Sequence, residues 1–554
     1  MKSIAAVTLL LGALAVPAFA QLPHFEHIIF VIQENRTPDN LFGGNPTFEL
    51  GVDIQQGPSG PWCLGSCFSP RHSHDAWTTM WNNGGPNWHN GDNACQISIN
   101  NYCFVDTQGT PRLTHCNGQI VSPSGTMPLP GCLPQTYVSP TYDAGKVAPY
   151  FDIAAKYGFA NYMFQTNQGP SFPAHQFLFS GTSAPSGTVG QNTEYQDFAS
   201  ENPTDPNNNS GAGCNSPDRF KVKVIGPDGQ ENITPIHPCF QDNSLAGLLD
   251  QNSISWRYYA SSDTHWDTNI WNAPNSVAPI CKPLLTGGGG CNGYDWLNYV
   301  FHDTGKILQD ISTCNLQKVS WVIPNDPWSD HPGFQGTEDD SNDIEGGPAW
   351  VANIVNAIGN SWALSNGGGQ CDYWGGNTTG SKNQPTAIFI LWDDWGGWWD
   401  HVNPESAPNL PVLLNIPNCS AWGCGYAYGF RVPLLVVSAF TPSGYVSGDT
   451  RTPGGGEQAP YIHDFGSLLG FTEYNFLGVG GIGQINPQYQ FADAFSPERR
   501  STPQTIPLAD FFPQPQNQPL PFQQIGIPDG TDPNHFINYS GFLGDPDNDA
   551  VDND

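Results

Sequence analysis

An α/β core with a mostly parallel central sheet is the fold this sequence predicts, on two features of its patterning. Short apolar runs rich in β-branched residues recur along the chain, continuous rather than alternating, and each ends in polar or glycine-rich punctuation. Strands buried on both faces have that pattern. Stretches with apolar residues at helical spacing lie between the runs, and such alternation of strand and helix builds a parallel sheet covered on both faces.

The elements follow in order. Residues 27–32 form the first run and pass through Gln33 into Glu34-Asn35. Residues 319–323 form another, stopped by Pro324; residues 387–392 run into Asp393-Asp394, and residues 432–437 come last. Helices are expected over 148–157, 244–250, 349–358 and 462–471. The segments 51–145 and 183–238 are loop-rich, carry most of the early cysteines and read as insertions or a cap on one core.

Composition narrows the function. The 554 residues carry 18 Lys+Arg against 50 Asp+Glu, a net charge of −32, and such a field repels nucleic acid and anionic membrane surfaces. No nucleic-acid partner is expected. Lys2, an apolar stretch over 4–16 and Ala18-Phe19-Ala20 make a signal peptide with cleavage near Ala20, so a secreted protein is expected, extracellular or periplasmic. No later segment is apolar over a bilayer's thickness, so no integral membrane segment is expected. All 14 cysteines lie beyond the leader, several in close pairs: Cys63 and Cys67, Cys95 and Cys103, Cys281 and Cys291, Cys419 and Cys424. An even number in an exported chain reads as a disulfide framework. Zinc ligation is the alternative, but no paired C-x₂-C pattern supports it.

In an open α/β sheet, functional groups gather beyond the carboxyl ends of the strands. Two buried runs end there in oxygen donors, Glu34-Asn35 and Asp393-Asp394, a plausible hard-cation site. Either pair alone also reads as an ordinary solvated turn. Ser171 lies in Gly169-Pro170-Ser171-Phe172-Pro173, a tight turn opening a helix, where free N–H groups favour an anion. The blander reading makes Ser171 a simple helix cap. In residues 393–402, glycines allow close backbone approach, the acids can hold a metal, and His401 reads as a supporting histidine tied to Asp400. Trp398 and Trp399 read as core or pocket wall. His72, His74, His331 and His463 matter only if they converge on one pocket.

Taken together, these motifs resemble the bacterial phosphoesterase family, which contains secreted phospholipases C and a metal-dependent acid phosphatase on an alkaline-phosphatase-like core. Glu34-Asn35-Arg36-Thr37-Pro38-Asp39-Asn40-Leu41-Phe42-Gly43 is similar to its E-N-R-S-F-D-H-x-F-G signature. Residues 169–182 resemble the nucleophile segment, and Ser255-Trp256-Arg257-Tyr258-Tyr259 falls in the S-W-x-x-Y element. Ser329-Asp330-His331-Pro332, residues 393–402 and Gly429-Phe430-Arg431-Val432-Pro433 match three further motifs in the expected order. The resemblance implies one phosphoesterase domain over 21–554, with disulfide-rich insertions near 51–145 and 183–238. It also implies a divalent metal of unspecified identity held by Glu34, Asn35, Ser171, Asp393 and Asp394. Ser171 would be the nucleophile, with His72, His331 and His175 holding phosphate oxygens or protonating the leaving group. Asn35-Arg36-Thr37 also fits a glycosylation sequon, which burial at a metal would make a false match.

Three departures limit what the resemblance carries over, the shorter Asp394 bearing on denticity and metal choice. Asp394 stands where the family often has Glu, Ser171 stands where phospholipases C commonly carry Thr, and the surroundings of His463 copy their motif loosely, leaving His463 unassigned. Little chain follows the core to form the extra modules of some phospholipases C. The reading is therefore a secreted phosphatase acting on phosphate monoesters through a phosphoserine, better at mildly acidic than alkaline pH. Phospholipase C acting on phospholipid is the alternative, with a carbohydrate-active or non-catalytic binding protein more distant.

Overall fold

The computed structural model describes residues 22–57, 61–62, 72–81, 119–122, 125–128, 137–138, 147–184, 198–331, 346–402, 428–449, 462–478 and 506–538, short interruptions within the longer blocks excepted. The leader, most of the first insertion, and Cys63, Cys67, Cys95, Cys103, Cys419 and Cys424 lie outside the described residues.

The central sheet comprises β1 (His27–Gln33), β2 (Gly158–Ala160), β3 (Trp256–Tyr259), β4 (Val300–Phe301), β5 (Val319–Val322), β6 (Thr386–Trp392), β7 (Leu434–Val437) and β8 (Tyr445–Ser447). Their spatial order is β4-β3-β5-β1-β6-β7-β2-β8. β7 runs antiparallel to both neighbours, and every other pair is parallel. All residues of β1 and β6 are buried, which is why their hydrophobicity is continuous. The two pair in register from His27 opposite Thr386 to Gln33 opposite Trp392, so they end side by side.

The helices used below are α1 (Pro38–Phe42), α2 (His74–Trp81), α3 (Ala148–Lys156), α4 (Ser171–Ser180), α5 (Leu245–Gln251), α6 (Lys306–Ser312), α7 (Gly346–Gly359) and α8 (Phe465–Leu477). They cover both faces. Phe30 is in register with Trp321 and Phe389 and packs against both, and Phe179 of α4 packs on Trp321. Trp392, three residues beyond Phe389, points to the opposite face, where Tyr150 of α3 meets it edge-on. Helix α8 starts later than its apolar spacing suggests. Asp464 accepts from Ser467 N at 2.8 Å and donates from its own N to Ser467 Oγ at 3.1 Å, a capping box that starts the helix at Phe465. His463-Asp464 instead pairs with Met163-Phe164.

Residues 506–538 strap the core, with Phe511 against Gly158 and Phe522 against Gly359, where an added Cβ would lie 2.7 and 2.3 Å from the rings. Disulfides join Cys214–Cys239, Cys281–Cys291 and Cys314–Cys371, as the expected framework requires for these six cysteines. Among the described residues no helix is long and apolar enough to cross a membrane.

Candidate active site

The register of β1 with β6 decides where the acids meet. One step past the strand ends, Asp393 N donates to Gln33 O at 2.9 Å, and Arg36 N donates to Asp394 O at 3.1 Å. Asn35 takes a left-handed φ of 61°, a conformation that asparagine tolerates better than most residues. Its N–H then reaches Asp393 Oδ1 at 3.1 Å. Gly396, at φ +60°, passes so close that a Cβ would sit 2.3 Å from Asn35 O. The glycine is needed there for both reasons.

Helix α4 brings Ser171 into this junction. Pro170 is the N-cap residue and makes no side-chain capping bond, while Asn202 Oδ1 accepts from Phe172 N at 2.9 Å. The cap reading of Ser171 therefore gives way. Its Oγ lies 3.2 Å from Asp394 Oδ2, 3.3 Å from Glu34 Oε2 and 3.4 Å from Asn35 Oδ1. Ser171, Glu34, Asn35, Asp393 and Asp394 are all fully buried.

One turn along α4, His175 Nε2 lies 3.1 Å from Glu34 Oε1 and 3.6 Å from Asp393 Oδ2. Asp393 Oδ2 has no hydrogen-bond partner. Three buried carboxylates facing one another repel strongly in a low-dielectric interior unless a cation lies among them. Their oxygens, with Asn35 Oδ1 and Ser171 Oγ, suit a hard divalent ion. The donor set fits the metal that the motifs implied.

The far end of the Asn35 amide is 3.2 Å from His72 Nε2 and 2.9 Å from His331 Nε2. With Oδ1 turned toward the carboxylates, the amide N–H₂ faces the two histidines; turned by half a rotation, Oδ1 accepts from both rings instead. A cation held among the carboxylates would favour the first orientation. His72 and His331 thus share one side of Asn35, with Trp395 and Trp271 about them, while His175 lies on the carboxylate side. His74 turns away, its Nδ1 2.9 Å from Gln168 O, and His463 Nε2 meets Ser447 Oγ at 2.7 Å beside β8.

Two supports were not assigned roles by sequence reasoning, although their residues fall within the motifs. Arg36 donates to Asp330 O from Nε at 3.0 Å and Nη2 at 2.8 Å and lies over the Trp398 ring. Asp330 Oδ2 accepts from Trp392 Nε1 at 3.0 Å, which fixes the backbone carrying His331. Burial raises the Asp330 carboxyl to about 6, against the pull of Arg36. The second support is a charged cluster beyond the acids. Arg431 donates to Asp400 Oδ1 at 3.0 Å and Asp39 Oδ1 at 3.3 Å. His401 bridges Asp39 Oδ2 at 2.6 Å and Asp53 Oδ1 at 3.0 Å, so it is hydrogen-bonded to these two acids rather than to the expected Asp400. A basic residue and acids scattered over nearly 400 positions gave no local signal of this grouping.

Burial alone would lower the His401 pKa, but the charge and hydrogen bond of Asp39, joined by Asp53, raise it from 6.5 to about 9. Burial alone would raise Asp53, yet His401 and Arg431 hold it well below the usual carboxylate range. A histidine whose folded pKa exceeds its unfolded one stabilises the fold fully below the unfolded value. That stabilisation is lost as pH rises through the folded value. Between pH 6.5 and 9 the loss should be on the order of 2–3 kcal/mol. Urea denaturation across that range, beside His401→Gln, checks it: the wild type should weaken with rising pH and the variant should lack that component. Parallel slopes would refute the assignment.

The chain belongs to the phosphoesterase family, whose model matches residues 25–366 and 377–478. Among curated relatives, the non-hemolytic phospholipase C of Pseudomonas aeruginosa is 24% identical over 92% of this chain and 61% of its own length. Phospholipase C A of Mycobacterium tuberculosis is 25% identical over 26% of this chain and 25% of its own. The chain thus spans about three fifths of the first relative's length and less of the second's. Among solved structures, Ps i-CgsB in complex with k-i-k-neocarrahexaose aligns over 86% of this chain and 78% of that one. Its identity is 11% and its TM-score 0.30, too distant to carry an argument.

Proposed function

We propose that this protein is an exported, metal-dependent phosphoesterase that hydrolyses phosphate monoesters through a phosphoserine at Ser171. The observation that carries the reading is the Ser171 hydroxyl at a helix start, fully buried and within 3.2–3.4 Å of oxygens from Glu34, Asn35 and Asp394. A divalent ion bound by Glu34, Asn35, Asp393, Asp394 and Ser171 would lower the hydroxyl pKa and offset charge on phosphate. Ser171 Oγ then attacks phosphorus, its proton passing to the carboxylate oxygens beside it. The ester oxygen leaves with a proton from Nδ1 of His331 or His72, whose Nε2 atoms accept from the Asn35 amide, and water cleaves the phosphoserine with the same groups acting in reverse. His175, against Glu34 and Asp393, orients the ligand carboxylates. The disulfides among the described residues suit an oxidising compartment.

Phospholipase C activity is the second reading, favoured by the similarity to the Pseudomonas aeruginosa phospholipase C over 92% of this chain. Comparing p-nitrophenyl phosphate with p-nitrophenylphosphorylcholine separates the two. We expect kcat/KM on the monoester to exceed that on the choline ester by at least about tenfold, a difference of ~1.4 kcal/mol in transition-state binding. The reverse preference installs phospholipase C, and turnover of either ester that survives exhaustive chelation removes the metal from the mechanism.

A further inference from the structure

We propose that Arg431 is a positioning residue that locks the three ligand-bearing segments of the site into register and thereby sets its metal affinity. The inference rests on the metal reading above. Arg431 is fully buried and uses every face of its guanidinium. Nε donates to both oxygens of Asp400, at 3.0 and 3.2 Å, and Nη2 donates to Asp39 Oδ1 at 3.3 Å. Nη1 donates to the backbone oxygens of Asp53 and Asn161, at 2.9 and 2.8 Å.

Two of these partners lead to ligand-bearing segments of the site. Asp39 lies on α1, four residues after Asn35, and also accepts from His401 N at 2.7 Å. Asp400 follows Asp394 by six residues in one loop, which Thr37 Oγ1 also holds through Trp399 O at 2.7 Å. The third segment is reached through the backbone: Gln165 N donates to Phe430 O at 3.2 Å, and Val432 N donates to Met163 O at 3.0 Å. Gln165 precedes Ser171 by six residues, and its Oε1 accepts from Trp395 N, one residue past Asp394, at 3.0 Å. The guanidinium therefore meets the segments of Asn35 and Asp394 without touching a ligand, and the backbone on either side of Arg431 ties in the segment of Ser171.

Asp39, Asp400 and His401 by themselves have the spacing of a second metal group. The guanidinium takes the place that an ion would need: it supplies the positive charge and donates where a metal would accept electron pairs. Asp39, Asp53 and Asp400 face it, with His401 bridging two of them and Tyr162 donating to Asp53 Oδ2 at 2.8 Å. Outer partners of this kind typically change metal affinity 10–100-fold when removed. A lysine keeps the charge but has no planar fork to span two carboxylates and two carbonyls.

The test is equilibrium dialysis of the full chain against Mn²⁺, with thermal melts alongside. The set comprises wild type, Arg431→Met, Arg431→Lys and Arg257→Met. Arg257 of β3 pairs with Asp310 of α6, so its loss reports on a buried ion pair that includes none of the metal ligands. We expect Arg431→Lys to weaken Mn²⁺ about tenfold and Arg431→Met by up to about 100-fold, with all five ligands intact. Arg257→Met should melt earlier yet bind Mn²⁺ within about twofold of wild type. If Arg431→Met fails to fold, the lysine variant decides. Wild-type affinity in a folded Arg431 variant, or equal weakening in Arg257→Met, overturns the positioning role while leaving the metal site standing. No Mn²⁺ bound by the wild type itself overturns the site reading and this inference with it.

Discussion

Ser171→Ala is expected to reduce turnover of p-nitrophenyl phosphate by about 10⁴-fold or more while the protein stays folded. The size follows from the position of the hydroxyl. In the proposed mechanism it is the atom that bonds to phosphorus, and it lies 3.2–3.4 Å from oxygens of Glu34, Asn35 and Asp394. Losing a nucleophile usually leaves only the contribution of binding and electrostatics. Alanine suits the first turn of a helix, and Phe172 N keeps its bond to Asn202, so the fold should not change. Rapid-quench assays with ³²P-labelled substrate would show a covalent phosphoprotein in the wild type alone. Substantial turnover by a folded Ser171→Ala protein would remove the serine from the mechanism and return attack to water.

Asp394→Asn is expected to act in opposite directions on activity and on stability without metal. The variant keeps the shape of the side chain and its contact with Gly396 N, which Asp394 Oδ1 accepts at 2.6 Å. It removes one of three buried carboxylates that face a common centre. With Mn²⁺ supplied, we expect activity to fall at least about 10³-fold, because a ligand charge and an acceptor beside Ser171 Oγ are both lost. In the presence of EDTA, the variant should melt above the wild type, since the remaining acids repel less. The gap between melting points with Mn²⁺ and with EDTA should therefore narrow sharply, as ligand linkage requires. A variant that melts below the wild type in EDTA would mean that the carboxylates are stabilised by the fold itself, against the cation reading.

Much of the candidate site was legible because its candidate donors sit at strand ends. The continuous apolar runs before Glu34 and Asp393 mark β1 and β6, and a doubly buried strand presents its next residues at the sheet's edge. Ser171 was legible as a residue at a helix start but ambiguous between cap and nucleophile. Its Oγ contacts settle the cap question, because they go to Glu34, Asn35 and Asp394 rather than to the helix backbone. The short strands β2, β4 and β8 escaped sequence reading, having two or three residues each, too few for a periodicity to register. The partner of the supporting His401 was misread for a related reason. Adjacency suggested Asp400, whereas its ring bonds to Asp39 and Asp53, over three hundred residues earlier.

The sequence by itself determined the α/β class, the two strands that carry the acids, the helix that starts at Ser171 and the candidate donor set. Burial pattern, turn chemistry and residue type are local properties, and a linear string records them directly. Tertiary structure alone decided that β7 runs backward between β6 and β2. It also decided that His175 lies against the carboxylates while His72 and His331 share the other side of Asn35, and that Arg431 joins three distant segments. Those outcomes depend on strand register and on charges brought together from far apart in the chain. Their energies come from excluding water around groups that only the folded chain makes neighbours.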